Sequence, residues 1–208
     1  LMDEPKTVGQ MVESIRNTCD LPVTIKTRLG IDDFDSYEFL CEFIETTSEY
    51  GCDHYILHAR KALLNGLSPK ENRSIPPINY PRVYKIKEQY SDLKIEINGE
   101  IKKTDEIKEH CKYVDGVMIG REACNNPLFL RDIANSIYQD SPMEMTDFFE
   151  RMFEYILKES NYGTGVHFIT RHMTALFKGM SGAKEWRKLV GGLDSKKSSA
   201  EDLVKSMK

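Results

Sequence analysis

The sequence contains no run approaching the ~20 consecutive apolar residues that a helix needs to cross a bilayer, which argues against a membrane protein. Its opening residues, Leu1-Met2-Asp3-Glu4-Pro5, form neither a basic stretch nor the apolar core of a secretory signal. Cysteine is scarce: Cys19, Cys41, Cys52, Cys111 and Cys124 are odd in number, irregularly spaced and without a Cys-x-x-Cys pair. Neither a redox pair nor a zinc site is suggested, and a reducing, cytoplasmic setting fits best. The histidines show no His-x-x-x-His or Glu-x-x-His spacing, so a metal centre has little support. Internal repeats and low-complexity segments are absent as well.

What is present describes a folded protein of 208 residues and 24.0 kDa, 40% hydrophobic and 30% charged, with a mean hydropathy of -0.49. That length suits one substantial domain with at most a small appendage. Residue 1 is Leu and falls in what reads as the approach to a helix, so the chain is expected to start partway through a longer protein. The net charge of -4 conceals an asymmetry: from Asn161 onward 9 Lys+Arg face 4 Asp+Glu, or +5, while the preceding residues carry 20 against 29, or -9. A basic end on an acidic body suits an appendage for a polyanion, although nine cations on helices equally form a solvated face.

Short apolar runs between polar turns read as strands at Pro22–Lys26, His54–His58, Leu93–Ile97 and Gly116–Gly120. Between them, Phe39, Leu40, Phe43 and Ile44, then Val83, Ile86 and Tyr90, then Ile107 and Cys111 recur at helical spacing. Alternating strand and helix implies a parallel sheet, either an open doubly wound sheet or a (β/α)8 barrel. A barrel needs about 250 residues and eight units. The stretch from Pro22 to Ile137 holds four, so a barrel here would be half of one. After Pro142 the pattern is helix only, with apolar stripes at Phe148, Phe149, Met152, Phe153, Ile156 and Leu157 and at Ile169, Met173, Leu176 and Phe177, broken by Gly163 and Gly165. The expected division is an α/β part over 1–141 and a small all-α domain over 142–208, with a polar tail from Asp194 before a last short helix.

Parallel α/β folds collect their chemistry at the carboxyl ends of strands. Here those ends are polar: Lys26-Thr-Arg28, His58-Ala-Arg60-Lys61, Asn98-Gly99-Glu100 and Gly120-Arg121-Glu122. Asn98-Gly99 and Gly120-Arg121 fall on consecutive strands and each opens a helix, which suits a phosphate cradle of backbone amides and one guanidinium. Either dipeptide alone is also an ordinary turn. Lys26 could stabilise negative charge on a bound ring; a lone strand-end lysine would more simply snorkel to solvent. Arg28, His58 and Arg60 at neighbouring ends favour the functional reading. The connection from Lys61 to about Tyr80 carries three prolines with Lys70 and Arg73, and reads as a lid.

These residues together resemble the tRNA-dihydrouridine synthases, nearest the synthase A branch. The series Val23-Thr-Ile-Lys26-Thr-Arg28-Leu-Gly-Ile-Asp32-Asp33, Leu57-His58-Ala-Arg60-Lys61-Ala62 and Gly66-Leu67-Ser-Pro69-Lys-Glu-Asn72-Arg73-Ser-Ile75-Pro76-Pro77 carries the likeness. Ile97-Asn98-Gly99, Asp115-Gly-Val-Met-Ile-Gly120-Arg121-Glu122-Ala123, Ile169-Thr-Arg171-His172-Met173 and Gly182-Ala-Lys-Glu-Trp186-Arg187 continue it.

The resemblance implies the C-terminal half of an FMN-binding TIM (β/α)8 barrel followed by a helical tRNA-binding domain, reducing neighbouring D-loop uridines to 5,6-dihydrouridine with NADPH. It implies cofactor contacts from Lys26 and His58 to the isoalloxazine, and from Asn98, Gly99, Gly120 and Arg121 to the FMN phosphate side. Glu100, beside them, stands where Gly is usual in that branch. Arg28 and Arg60, with Arg171, His172 and Arg187, would meet the tRNA substrate. The family's proton-donating Cys lies in an Asn-x-Gly-Cys-Pro motif expected upstream of Leu1, so no catalytic residue is assigned here and the chain alone is expected to be inactive. The partner is tRNA, with neither membrane nor DNA, and the full-length protein is expected to be a monomer. Two rivals remain: an FMN oxidoreductase of a free pyrimidine, which needs no basic arm, and a non-catalytic RNA-binding protein on a truncated barrel.

Overall fold

The computed structural model describes residues 1–138 and 143–192. The polar tail, the last short helix and the expected 141/142 boundary lie outside the described residues. The chain divides into two compact units, Leu1–Gly120 and Arg121–Lys208.

The first unit is an α/β fold built on one parallel sheet. Its helices are α1 (Pro5–Arg16), α2 (Tyr37–Glu49), α3 (Tyr80–Gln89) and α4 (Thr104–His110), and its strands are β1 (Ile25–Arg28), β2 (His54–His58), β3 (Lys94–Asn98) and β4 (Gly116–Met118). The sheet order is β1-β2-β3-β4 and every pair is parallel, so each crossover returns the chain to the next position without reversal. A doubly wound sheet instead turns back at a switch point. The register aligns Ile25 with Tyr55 and Ile95, and Leu57 with Ile97. All five are buried, because residues two apart share one face. The Tyr55 hydroxyl lies 2.8 Å from that of Thr47 in α2, which satisfies both buried polar groups.

The opposite face carries Lys26, Ile56 and Glu96 in one row and Arg28, His58, Asn98 and Met118 in the next. At its amino end His54 Nε2 and Glu96 Oε1 are 2.9 Å apart. Gly116 beside them is tight: a Cβ there would stand 3.1 Å from the Glu96 side chain.

Local signals start the helices. Ser36 accepts from the Phe39 amide at α2, and Asn79 accepts from the Arg82 amide at α3. Each starts a helix whose apolar positions recur at three and four: Leu40, Phe43, Ile44 and Thr47 are buried in α2, Val83 and Ile86 in α3. Strand β1 starts three residues later than the sequence predicts and reaches Arg28, and β4 stops at Met118, two residues short of Gly120. The pairing partners set both limits, since Ile25 meets Tyr55 and Met118 meets Asn98, the last residue of β3.

Helix α1 packs on α2 through Gly9, where an added Cβ would lie 2.3 Å from the Tyr50 ring. Gly9→Ala would gain roughly 0.5–1 kcal/mol of helix propensity. Overpacking of this degree costs about 1–3 kcal/mol and should win. A lower urea midpoint for Gly9→Ala is the expected result, and a higher one would show that Tyr50 swings away freely.

The second unit is helical as far as it is described: α5 (Arg121–Asn125), α6 (Leu128–Ile133) with a wider π turn over Ala134–Tyr138, α7 (Met145–Asn161), α8 (Val166–Thr170) and α9 (Ala183–Gly191). Ile156, Val166 and Met173 form its core, flanked by Phe149, Met152, Leu157, Ile169 and Trp186. Trp186 donates its indole N–H to the Met173 carbonyl at 2.7 Å. Gly163, at φ 89°, makes the break after α7 that the sequence predicts. The second apolar stripe differs from expectation, because α8 ends at Thr170 and residues 171–179 form successive turns. There the amides of Met173, Leu176 and Lys178 bond three residues back, to Thr170, Met173 and Ala175, a tighter coil that still buries Met173 and Leu176. Among the described residues no helix is long and apolar enough to cross a membrane.

Candidate functional site

Parallel pairing brings the predicted strand-end residues of the first unit into one row, with Arg28 opposite His58 and His58 opposite Asn98. Lys26 lies two residues before Arg28 on the same face and is exposed. Although the residue is exposed overall, desolvation by the surrounding chain and then the neighbouring Arg28 charge hold its ammonium below the usual lysine range. Burial, then the charges of Arg60 and Arg73, lowers Arg28 in the same way. This end of the sheet is thus a concentration of positive charge. His58 is buried within it, 7% exposed.

Several of these residues are engaged with the chain itself. Arg28 Nη1 donates to the carbonyls of Asn72, at 2.8 Å, and Lys61, at 3.3 Å. Asn98 Nδ2 donates to the Met118 carbonyl at 2.8 Å, tying β3 to β4. Arg60, 4% exposed, meets the Glu100 carboxylate at 2.9 Å through Nη2 and donates to the Pro76 carbonyl through Nη1. Glu100 has φ 53° and follows Gly99 at φ 132°. The turn after β3 therefore bends through two successive residues at positive φ, a conformation glycine adopts freely and glutamate only at a cost. The ion pair with Arg60 offsets that cost. Gly120 is open, since a Cβ there would meet only the Asn98 amide, 3.9 Å away.

The connection from Lys61 to Tyr80 includes a 3-10 turn at Glu71–Arg73. Asn72 accepts from the Leu63 amide at 2.7 Å and donates back to the Leu63 carbonyl. Asp32, in the loop after β1, accepts from the Leu64 amide at 2.7 Å, and Lys61 pairs with Asp35 at 2.9 Å. Asn72 and Asp32 belong to the motifs that carried the family likeness, yet no sequence signal revealed this clamp. Its partners are up to 32 positions apart.

A second support was equally invisible. The Tyr80 hydroxyl donates to the Gly99 carbonyl at 2.7 Å, and its ring meets His110 edge-on with centroids 4.5 Å apart. Tyr84 Oη and His110 Nδ1 share a hydrogen bond of 2.7 Å, while Tyr84 stacks on Tyr113. Burial lowers the His110 pKa, with Glu106 and Glu109 opposing. A histidine with a depressed folded-state pKa favours folding while neutral, so its contribution is present above about 6.5 and lost as pH falls below it. His110→Gln should accordingly flatten the fall in stability between pH 7 and 5, measured by denaturant titration at each pH. Equal slopes in the two proteins would contradict this.

In the second unit Arg171 and His172 lie just after α8 and Arg187 lies in α9; all three are exposed. The Arg171 guanidinium stands over the Phe168 ring at 5.5 Å, and its Nε donates to His172 Nε2 at 3.1 Å. Arg121 is the first residue of α5. Among the described residues no group of His, Cys, Asp and Glu could hold a metal ion.

The family model described as dihydrouridine synthase matches residues 1–208. The chain is similar to the tRNA-dihydrouridine(20/20a) synthase of Escherichia coli strain K12, 48% identical over 193 residues that cover 91% of this chain and 56% of that protein. Synthases of the same name from Vibrio cholerae serotype O1 and Salmonella typhimurium are 48% and 47% identical, with 59% and 58% of their own lengths covered. The chain thus spans just under three fifths of the length of these relatives.

Proposed function

We propose, from the premise that the chain belongs to the dihydrouridine synthase family, that it supplies half of a flavin site and a tRNA-binding arm for the reduction of D-loop uridine. In this reading residues 1–141 are the second half of a (β/α)8 barrel and residues 142–208 bind tRNA, at the uridines numbered 20 and 20a in the relatives' names. The observation that carries it is the row of Arg28, His58 and Asn98, with Lys26 on the same face, at the carboxyl end of a sheet whose order never reverses. That face corresponds to a barrel interior.

FMN fits the residues present. Lys26 would hold its cation against the isoalloxazine and His58 would wall the ring. The bent backbone of Asn98, Gly99 and Glu100 and the open Gly120, with Arg121 next along the chain, suit its phosphate. Bound, the flavin would supply a hydride for C6 of the uracil, with NADPH as electron source. Arg28 would stabilise the charge that develops on a uracil carbonyl; among the described residues Asn72 and Lys61 engage its Nη1, and Nη2 and Nε would donate to the substrate. Arg60, buried against Glu100, would reach the substrate only by holding the Pro76 segment in place. The uridine must leave the tRNA stack to arrive there.

Arg171, His172 and Arg187 would bind the phosphate backbone. Affinity for unmodified tRNA should fall with salt, and Arg171→Ala or Arg187→Ala should each lower the slope of log K against log salt by about 1. Filter binding across a salt series tests this. An affinity indifferent to salt would refute backbone binding.

A further inference from the structure

We infer that a cleft within the helical unit is a stacking site for one unpaired nucleobase of the bound RNA. The inference rests on the tRNA reading and adds to it a base contact where only phosphate contacts were assigned. The cleft has a volume of about 520 Å³ and is bounded by Phe148, Met152, Tyr155, Phe168, His172 and Leu176. That is the size of a pocket for one small ligand and suits a nucleoside, not a duplex.

Two of its rings are out of place for a core. Tyr155 is 48% exposed and Phe168 52%, whereas the apolar centre of the unit, Ile156, Val166 and Met173, is buried and reaches the cleft through Met173 at its floor. Phe168 already meets the His167 ring, with centroids 3.9 Å apart, so the exposed remainder of Phe168 and the Tyr155 ring are the flat surfaces on which a base would stack. The rim is also cationic. Arg171 lies over Phe168 and hydrogen-bonds His172, so the guanidinium is held beside the opening. No carboxylate lines the cleft among its described residues. Over residues 145–192, which supply every lining residue but Pro127, 7 Lys+Arg stand against 5 Asp+Glu, four of the acids on α7 and none of them lining the cleft. The occupant that matches flat apolar walls and a positive rim is a base attached to a phosphate backbone. An acidic peptide would match Arg171 but leaves the exposed Tyr155 and Phe168 rings without a flat partner.

The test uses the full chain with unmodified tRNA in which 4-thiouridine replaces uridine. Irradiation should place adducts on Tyr155 or Phe168, identified by mass spectrometry of the digested protein. Phe168→Ala and Tyr155→Ala should each weaken tRNA binding about tenfold with an unchanged salt slope, because stacking releases no counterions. Phe168→Tyr, which keeps the ring, should restore binding. Both rings are half-exposed, and thermal melting of each variant separates lost folding from lost contact.

Variants that remain folded and bind tRNA as the parent does would overturn the cleft while leaving the tRNA reading intact. So would displacement of tRNA by an acidic peptide and not by oligouridylate. A parent chain with no measurable tRNA affinity would overturn the tRNA reading itself, and the cleft with it.

Discussion

Incubated with FMN, NADPH and unmodified tRNA, the 208-residue chain is expected to form dihydrouridine at least about 10²–10⁴-fold more slowly than a full-length relative, the factor a positioned general acid contributes, because none of its own cysteines is placed as one. The reduction needs a proton at C5 as well as a hydride at C6, and a donor must stand within hydrogen-bond reach of that carbon. The cysteines here are poorly placed for it. Cys52 precedes β2, at the end of the sheet opposite the cationic row, and its thiol points to the His54 carbonyl at 3.5 Å. It is 1% exposed and burial raises its pKa. Cys41 is buried within α2, Cys111 caps α4, and Cys19 bonds back to the carbonyl of Ile15 in α1. Cys124 lies within α5 and, like the others, is not followed by proline. Nucleoside analysis of the treated tRNA by liquid chromatography and mass spectrometry measures the product. Turnover comparable with a full-length relative would show that another group on this chain delivers the proton.

Replacing Leu57 by Ala should lower stability by about 2–5 kcal/mol, the cost of truncating a fully buried leucine where the surroundings cannot collapse. Leu57 sits at 0% exposure in the middle of the sheet, beside Thr27 and Ile97 in register. Ile56 is one residue away, yet it points to the half-exposed face, so Ile56→Ala should cost clearly less. The comparison measures which face of β2 carries the core. Urea titrations followed by far-UV circular dichroism give both values; equal losses would mean that both faces of the sheet are packed alike.

Much of the first unit could be read from sequence wherever a local pattern determines it. His54–His58 matches the observed β2 because its alternation is a property of the strand alone. The apolar spacings Phe39, Leu40, Phe43 and Ile44, and Val83 and Ile86, likewise fall within α2 and α3. The sequence pattern starts β1 three residues early because Pro22 and Val23 look like strand residues, whereas pairing begins only where Ile25 meets Tyr55. The stripe after Thr170 misled for a related reason, since apolar residues three and four apart serve a coil of turns as well as an α-helix. For the candidate site, residue types were legible and partners were not. Arg60 reads as a ligand-binding cation until Glu100, forty positions later, is found against it. Arg28 gives no hint in sequence that Asn72 will hold it. Such contacts depend on register and loop path, which no window of a single sequence contains.

The lone tryptophan has a practical consequence for any of these measurements. Trp186 donates to the Met173 carbonyl and packs against Phe149 and Phe177, all within the helical unit. Indole emission therefore reports on the helical unit that holds it, while the peptide circular dichroism signal sums both units. Recorded together during one titration, the two signals form a built-in two-channel reporter of how far the units melt in concert. The protein carries its own optical label, placed by the packing of a single side chain.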